Sequence, residues 1–90
     1  MNIEVTEKNY RFIRKLKSVK YNGKVYEKVE ESQIGDIALC VNKTAWTKEG
    51  NYYLVVECYP PNGFKGIIAD DNKPMGIHDN LNHFEYYRCK

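Results

Sequence analysis

From Ile34 to Arg88, short β-rich runs alternate with strong turn signals, and this rhythm constrains the chain more than any other feature. Gly35-Asp36 precedes Ile37–Val41, and Glu49-Gly50-Asn51 precedes Tyr52–Tyr59. Pro60-Pro61-Asn62-Gly63 precedes Phe64–Ala69, and Asp70–Pro74 precedes Met75–His78. Leu81, His83 and Phe84 then lead into Glu85–Arg88. Gly allows positive φ, Pro fixes φ, and Asn and Asp bond to their own backbone, so such clusters turn the chain. β-Branched and aromatic runs between them read as strands. The spacing predicts a small, strongly bent, mainly β barrel with strands near 37–41, 52–59, 64–69, 75–78 and 85–88.

Ninety residues make one domain with one modest core and little room for a deep catalytic cleft. Residues 34–90 are read as the barrel and residues 1–33 as an N-terminal extension. The run from Tyr52 to Tyr59 is apolar on both faces, which predicts the central strand. Ile37, Leu39 and Val41 share one strand face, with Ala38 and Cys40 on the other. The expected core is Ile37, Leu39, Val41, Leu54, Val56, Ile68, Leu81 and Phe84. Gly63 and Gly66 flank Phe64 and predict a tight turn and a bend or bulge. Asp79 is placed to cap one helical turn bearing Leu81 and Phe84.

Charge is distributed unevenly. The net charge is only +2, but between Lys8 and Lys28 eight basic residues stand against one acid, Glu27. The chain after Ile34 is close to neutral. Within the basic third, Asn22-Gly23 separates two β-rich runs and is a strong hairpin signal, since both central residues of a type I′ turn need positive φ. That register sets Tyr21 opposite Lys24, Val19 opposite Tyr26 and Lys17 opposite Lys28. Residues 8–17 support two readings, a short helix or a bent strand, because Tyr10, Ile13 and Leu16 recur at helical spacing. Residues 1–7 are expected to be loosely held.

The succession "EGNYYLVVE", "GFKGIIADD", "GIHDN", "LNHF" and "EYYR" resembles SH3-like small barrels. With "YNGKVYEKVEESQIGD" ahead of it, the chain looks like small uncharacterised proteins of phages and prophages of Gram-positive bacteria. The resemblance covers roughly residues 18 to 88 and implies a five-stranded, strongly bent barrel with a short 3₁₀ turn before its last strand. It implies no activity. Polyproline binding is not carried over. The first strand is Ile37-Ala38-Leu39-Cys40-Val41, and the loop from Asn42 to Asn51 has two lysines against one acid, unlike the acidic loop of polyproline-binding SH3 domains.

Catalytic signatures are missing from the sequence. Cys40 and Cys58 sit within apolar strands, where a thiol acts as a small hydrophobe, and no nucleophile motif surrounds Cys89. His78 and His83 lack a Cys-x-x-Cys partner for zinc, and Asp70-Asp71-Asn72 lacks the distal ligands of a calcium loop. The expectation is a non-catalytic module with no cofactor. The odd cysteine count, and an N-terminus without an apolar leader, suit a reducing, cytoplasmic setting. No apolar run reaches the length of a membrane-spanning helix.

Two binding readings remain. In the first, Trp46 with Tyr52, Tyr53 and Tyr59 forms a surface for a host or viral protein, since aromatic residues anchor interfaces. In the second, Arg11, Arg14, Lys15, Lys17, Lys20 and Lys24 neutralise nucleic-acid phosphates, and Tyr10 and Tyr21 stack on bases. Against the second, lysines on an edge hairpin also serve simply to discourage aggregation.

Overall fold

The computed structural model describes residues 2–12, 15–58, 64–77 and 82–89, with the side chains of Arg11, Phe12 and Lys15 outside that description. Among the described residues there are nine strands and no helix. They are β1 (Glu7–Phe12), β2 (Lys15–Tyr21), β3 (Lys24–Val29), β4 (Ile37–Cys40), β5 (Tyr52–Leu54), β6 (Val56–Cys58), β7 (Phe64–Ile68), β8 (Pro74–Gly76) and β9 (Phe84–Cys89). One six-stranded sheet has the order β1-β2-β3-β9-β4-β5, and a three-stranded sheet has the order β6-β7-β8. All the pairings are antiparallel. The mainly β architecture agrees with the turn rhythm, and strands lie near the expected places after Ile34, except that the single strand expected at 52–59 is two, β5 and β6. His78, Asp79 and Leu81, with the helical turn expected there, lie outside the described residues, as do Tyr59 and Gly63.

The Asn-Gly hairpin forms as its chemistry dictates. Asn22 and Gly23 have φ of 55° and 79°, the paired positive values a type I′ turn demands. Tyr21 faces Lys24 and Val19 faces Tyr26. The paired register extends to Ser18 opposite Glu27 and stops short of Lys17 and Lys28. β3 also pairs with β9, so this hairpin is continuous with the larger sheet.

The ambiguity over residues 8–17 resolves to strand on either side of residues 13 and 14, which lie outside the description. Lys17 is the extra residue between the pairs Asn9–Ser18 and Tyr10–Leu16, and Arg11 is the extra residue between Tyr10–Leu16 and Phe12–Lys15. Each bulge turns the following side chains to the opposite face. Leu16 and Val19 therefore enter the same cluster although they are three residues apart. A bulged strand thus imitates helical spacing.

Two other expectations are corrected. The N-terminal segment is tied down: Ile3 N–H donates to Tyr52 O at 2.7 Å, Thr6 N–H donates to Lys20 O at 2.8 Å, and Ile3 and Val5 pack on the core. The segment 52–59 is not a central strand. It breaks at Val55, whose N–H donates to Asp36 O and whose C=O accepts from Gly35 N–H, both at 2.8 Å. β5 then ends the larger sheet and β6 begins the smaller one, while β9 lies between β3 and β4. An apolar run buried on both faces belongs here to a strand that changes sheets.

The same geometry divides the core into two clusters. Ala38, Cys40, Tyr53, Val55, Ile67, Ile77, Phe84 and Tyr86 form one, between the two sheets. Val19, Ile37, Tyr52 and Tyr87 form the other, inside the curl of the larger sheet. Of the expected core, Ile37 and Phe84 are buried, whereas Leu39, Val41, Leu54, Val56 and Ile68 are only partly buried, and Leu81 lies outside the description. Adjacent β4 residues, Ile37 and Ala38, fill different clusters, so choosing one face by alternation omitted the deeper one. Val55→Ala is accordingly expected to cost about 2–3 kcal/mol, since the cavity it leaves cannot fully relax. Val56→Ala is expected to cost under about 1 kcal/mol, as for a partly exposed site. Equal shifts in urea midpoint for the two variants would contradict this division.

Candidate protein-binding surface around Trp46

Trp46 lies in the connection between β4 and β5. The ends of that connection are set by the backbone: Cys40 N–H donates to Asn51 O (2.9 Å) and Gly50 N–H to Cys40 O (2.8 Å). Gly50 turns back with φ of 89°, a value that favours glycine. Val41 and Asn42 donate their N–H groups to His83 O, and Asn42 Nδ2 donates to Asn82 O at 2.6 Å, which fastens the loop to the start of β9.

The crown of the loop is braced from within. Thr47 is buried, and its Oγ1 lies 2.7 Å from Thr44 Oγ1 and 3.4 Å from Cys40 Sγ. Thr44 Oγ1 also accepts from Trp46 N–H, and Trp46 O accepts from Asp70 N–H at 2.9 Å. Beneath them stands Tyr53. Its ring, fully buried, meets Phe84 edge-on, with centroids 6.4 Å apart and planes at 86°. Its hydroxyl donates to both Asp70 carboxylate oxygens, at 3.0 and 3.1 Å, and accepts from Lys48 N–H at 3.2 Å. Burial raises the Tyr53 pKa, with the Lys48 amide working in the opposite direction.

The result is a half-exposed Trp46, 53% accessible, on a backbone bonded along both sides. An open groove of about 520 Å³ runs beside it, with Lys43, Lys48, Glu49, Asp70 and Asp71 along its walls. A half-exposed indole on such a loop, beside a groove rimmed by both charge signs, can receive an apolar side chain and orient polar neighbours.

Of the residues grouped with Trp46 by sequence, Tyr52 and Tyr53 are buried and cannot form part of a surface, and Tyr59 lies outside the description. Tyr86 and Tyr87 are likewise interior. Tyrosine suits a half-buried strand face, and here both faces are covered. Burial raises the Tyr52 pKa to about 12, with Tyr10 adding to the effect, and pushes that of Tyr87 higher still. The parts that sequence reasoning missed are Thr44, Thr47, Lys48 and Asp70. Asp70 reads as an ordinary turn former, and nothing in the sequence links it to Tyr53.

The basic third is only partly assembled into a surface. Lys17 and Lys24 are exposed, and Tyr10 is 55% accessible. Lys20 and Tyr21 are half-buried; Tyr21 packs edge-on against Tyr26 at 6.3 Å and belongs to the inner cluster. Arg11 and Lys15 lie on β1 and β2 by backbone, while Arg14 lies outside the description. None of the three cysteines forms a disulfide: Cys40 and Cys58 are buried, Cys89 is half-buried, and burial raises the Cys58 pKa.

Comparison with known proteins finds no matching family model, no similar curated protein and no similar solved structure.

Proposed function

We propose that this chain is a non-catalytic interaction module that captures a protein partner through Trp46. The observation that carries the reading is a half-exposed Trp46 on a loop whose backbone is hydrogen-bonded on both sides of it. A large apolar side chain gains by leaving water, so an exposed Trp46 on a loop braced by Tyr53, Thr47 and Asp70 is suited to burial against a partner. The buried thiols, one of them with a raised pKa, favour binding over cysteine catalysis. Three cysteines without a disulfide also suit a reducing, cytoplasmic setting. The likeness to SH3-like barrels, and to phage proteins, belongs to the same proposal and makes the partner a host or viral protein.

Affinity recovery from host lysate with the wild type and Trp46→Ala in parallel, followed by titration of the purified partner, tests this. Trp46→Ala is expected to leave the melting temperature nearly unchanged and to weaken binding by about 2 kcal/mol, about thirtyfold. Equal affinity for the two proteins would remove Trp46 from the site.

Exposed Tyr10, Lys17 and Lys24 favour a second reading, nucleic-acid binding by the β1–β2–β3 ribbon. Titration with single-stranded DNA at two salt concentrations separates the two, since phosphate contacts weaken steeply with salt.

A further inference from the structure

The larger sheet ends in two strands that its curl brings towards each other. β1 pairs with β2 on one side, and no strand borders its other side among the described residues. At the opposite end is β5, whose outer side meets only the single bridge from Ile3 to Tyr52. Across the mouth between them, Lys8 Nζ lies 5.6 Å from the centroid of the Tyr52 ring. Lys8 faces Val19 and Tyr10 faces Leu16, so both side chains point to the inner face on which Val19 and Leu16 pack. Both remain exposed. Tyr52 and Tyr87 of β9 belong to the same cluster inside the curl. The Tyr87 hydroxyl is buried and has no hydrogen-bond partner among the described residues.

We propose that the outer edge of β1 is a docking edge for an extended acidic segment of a partner protein, which adds a strand over the mouth of the curl. Main-chain groups of β1 supply the pairing, as in strand addition to other sheet edges. Side chains supply the choice of segment. Residues opposite each other across a strand pair share a face, so a carboxylate meets Lys8 and an apolar side chain two positions away meets Tyr10. Charge decides between occupants. β1 carries Lys8 and Arg11 against Glu7, and its neighbour β2 adds Lys15, Lys17 and Lys20 with no acid, so a second copy of this ribbon would bring an excess of like charge together. An acidic strand is attracted by the same residues. This edge is independent of Trp46.

The probe is a fluorescent, end-capped peptide in which Thr alternates with Val and Glu, followed by anisotropy. Three companions are titrated beside it: the same peptide with Lys for Glu, the same peptide N-methylated at alternate amides, and oligothymidylate. The acidic peptide is expected to bind and to slow hydrogen exchange of the β1 amides. N-methylation or Lys for Glu is expected to weaken binding by about tenfold or more, and Lys8→Glu and Tyr10→Ser in the protein likewise. Both positions are exposed, and unchanged melting temperatures confirm folding. Trp46→Ala is expected to bind the peptide as the wild type does, so failure here is distinguishable from failure of the Trp46 site. No binding, equal binding of the N-methylated peptide, or binding of oligothymidylate alone would each overturn the proposal, the last in favour of a nucleic-acid surface.

Discussion

Gly66→Ala is expected to destabilise the protein by about 3 kcal/mol or more, at or beyond the upper end of ordinary overpacking. Gly66 sits in the middle of β7, opposite Val56 on one side and Gly76 on the other. A Cβ there would lie 2.7 Å from Cys58 Sγ and closer still to the Met75 carbonyl oxygen. The thiol is a side chain and can be removed. The carbonyl is backbone within the paired strand β8, so relieving that contact shifts the β7–β8 pairing itself. At roughly 4–8 °C per kcal/mol for a domain of this size, the melting temperature should fall by more than about 10 °C. Cys58→Ala in the same chain should recover only part of the loss, because it removes one obstruction of two, and the coupling is readable from a double-mutant cycle. Full recovery would show that the Met75 carbonyl does not limit the site, and a Gly66→Ala protein melting like the wild type would show that the strands do not approach this closely.

Gly66 also shows how much of the fold was legible. A glycine inside a strand run signals a bulge or a close backbone approach, and the sequence could not choose between them. Turn chemistry was the most readable layer: Asn22-Gly23 gave its turn, and its register over Tyr21–Lys24 and Val19–Tyr26, because two positive φ values admit few residues. Strand position after Ile34 followed for the same reason. Burial was less readable. Alternation tells which side chains share a face, but not whether one face or both is covered, and here the N-terminal segment and the smaller sheet cover opposite faces of β4. The strand change at Val55 was hidden because its hydrogen bonds go to Gly35 and Asp36, about twenty residues away. The site was legible only as far as Trp46. Its support depends on Tyr53 meeting Asp70 across 17 residues, a contact with no local signature.

Tyr53 should therefore separate into two functions when it is trimmed in steps. Tyr53→Phe keeps the ring against Phe84 and removes only the hydroxyl. The groups it releases, the Lys48 amide and the Asp70 carboxylate, belong to exposed residues and can turn to water, so the expected cost is about 1 kcal/mol. Tyr53→Ala also removes a fully buried ring from the cluster between the sheets, and the expected cost rises to about 3–5 kcal/mol. Binding should follow the first step. Without the hydroxyl, the Trp46 loop loses one of its links to the core, and a partner must then order a looser loop at roughly 0.5–1.5 kcal/mol, which weakens affinity about two- to twelvefold. Hydrogen exchange at the Lys48 amide should accelerate in Tyr53→Phe while β4 and β9 keep their protection. If Tyr53→Phe binds the Trp46 partner as tightly as the wild type, and the Lys48 amide exchanges no faster, the hydroxyl does not brace the loop. The loop bearing Trp46 would then be held by its other bonds, among them the Thr44–Thr47 pair and the Asp70 amide.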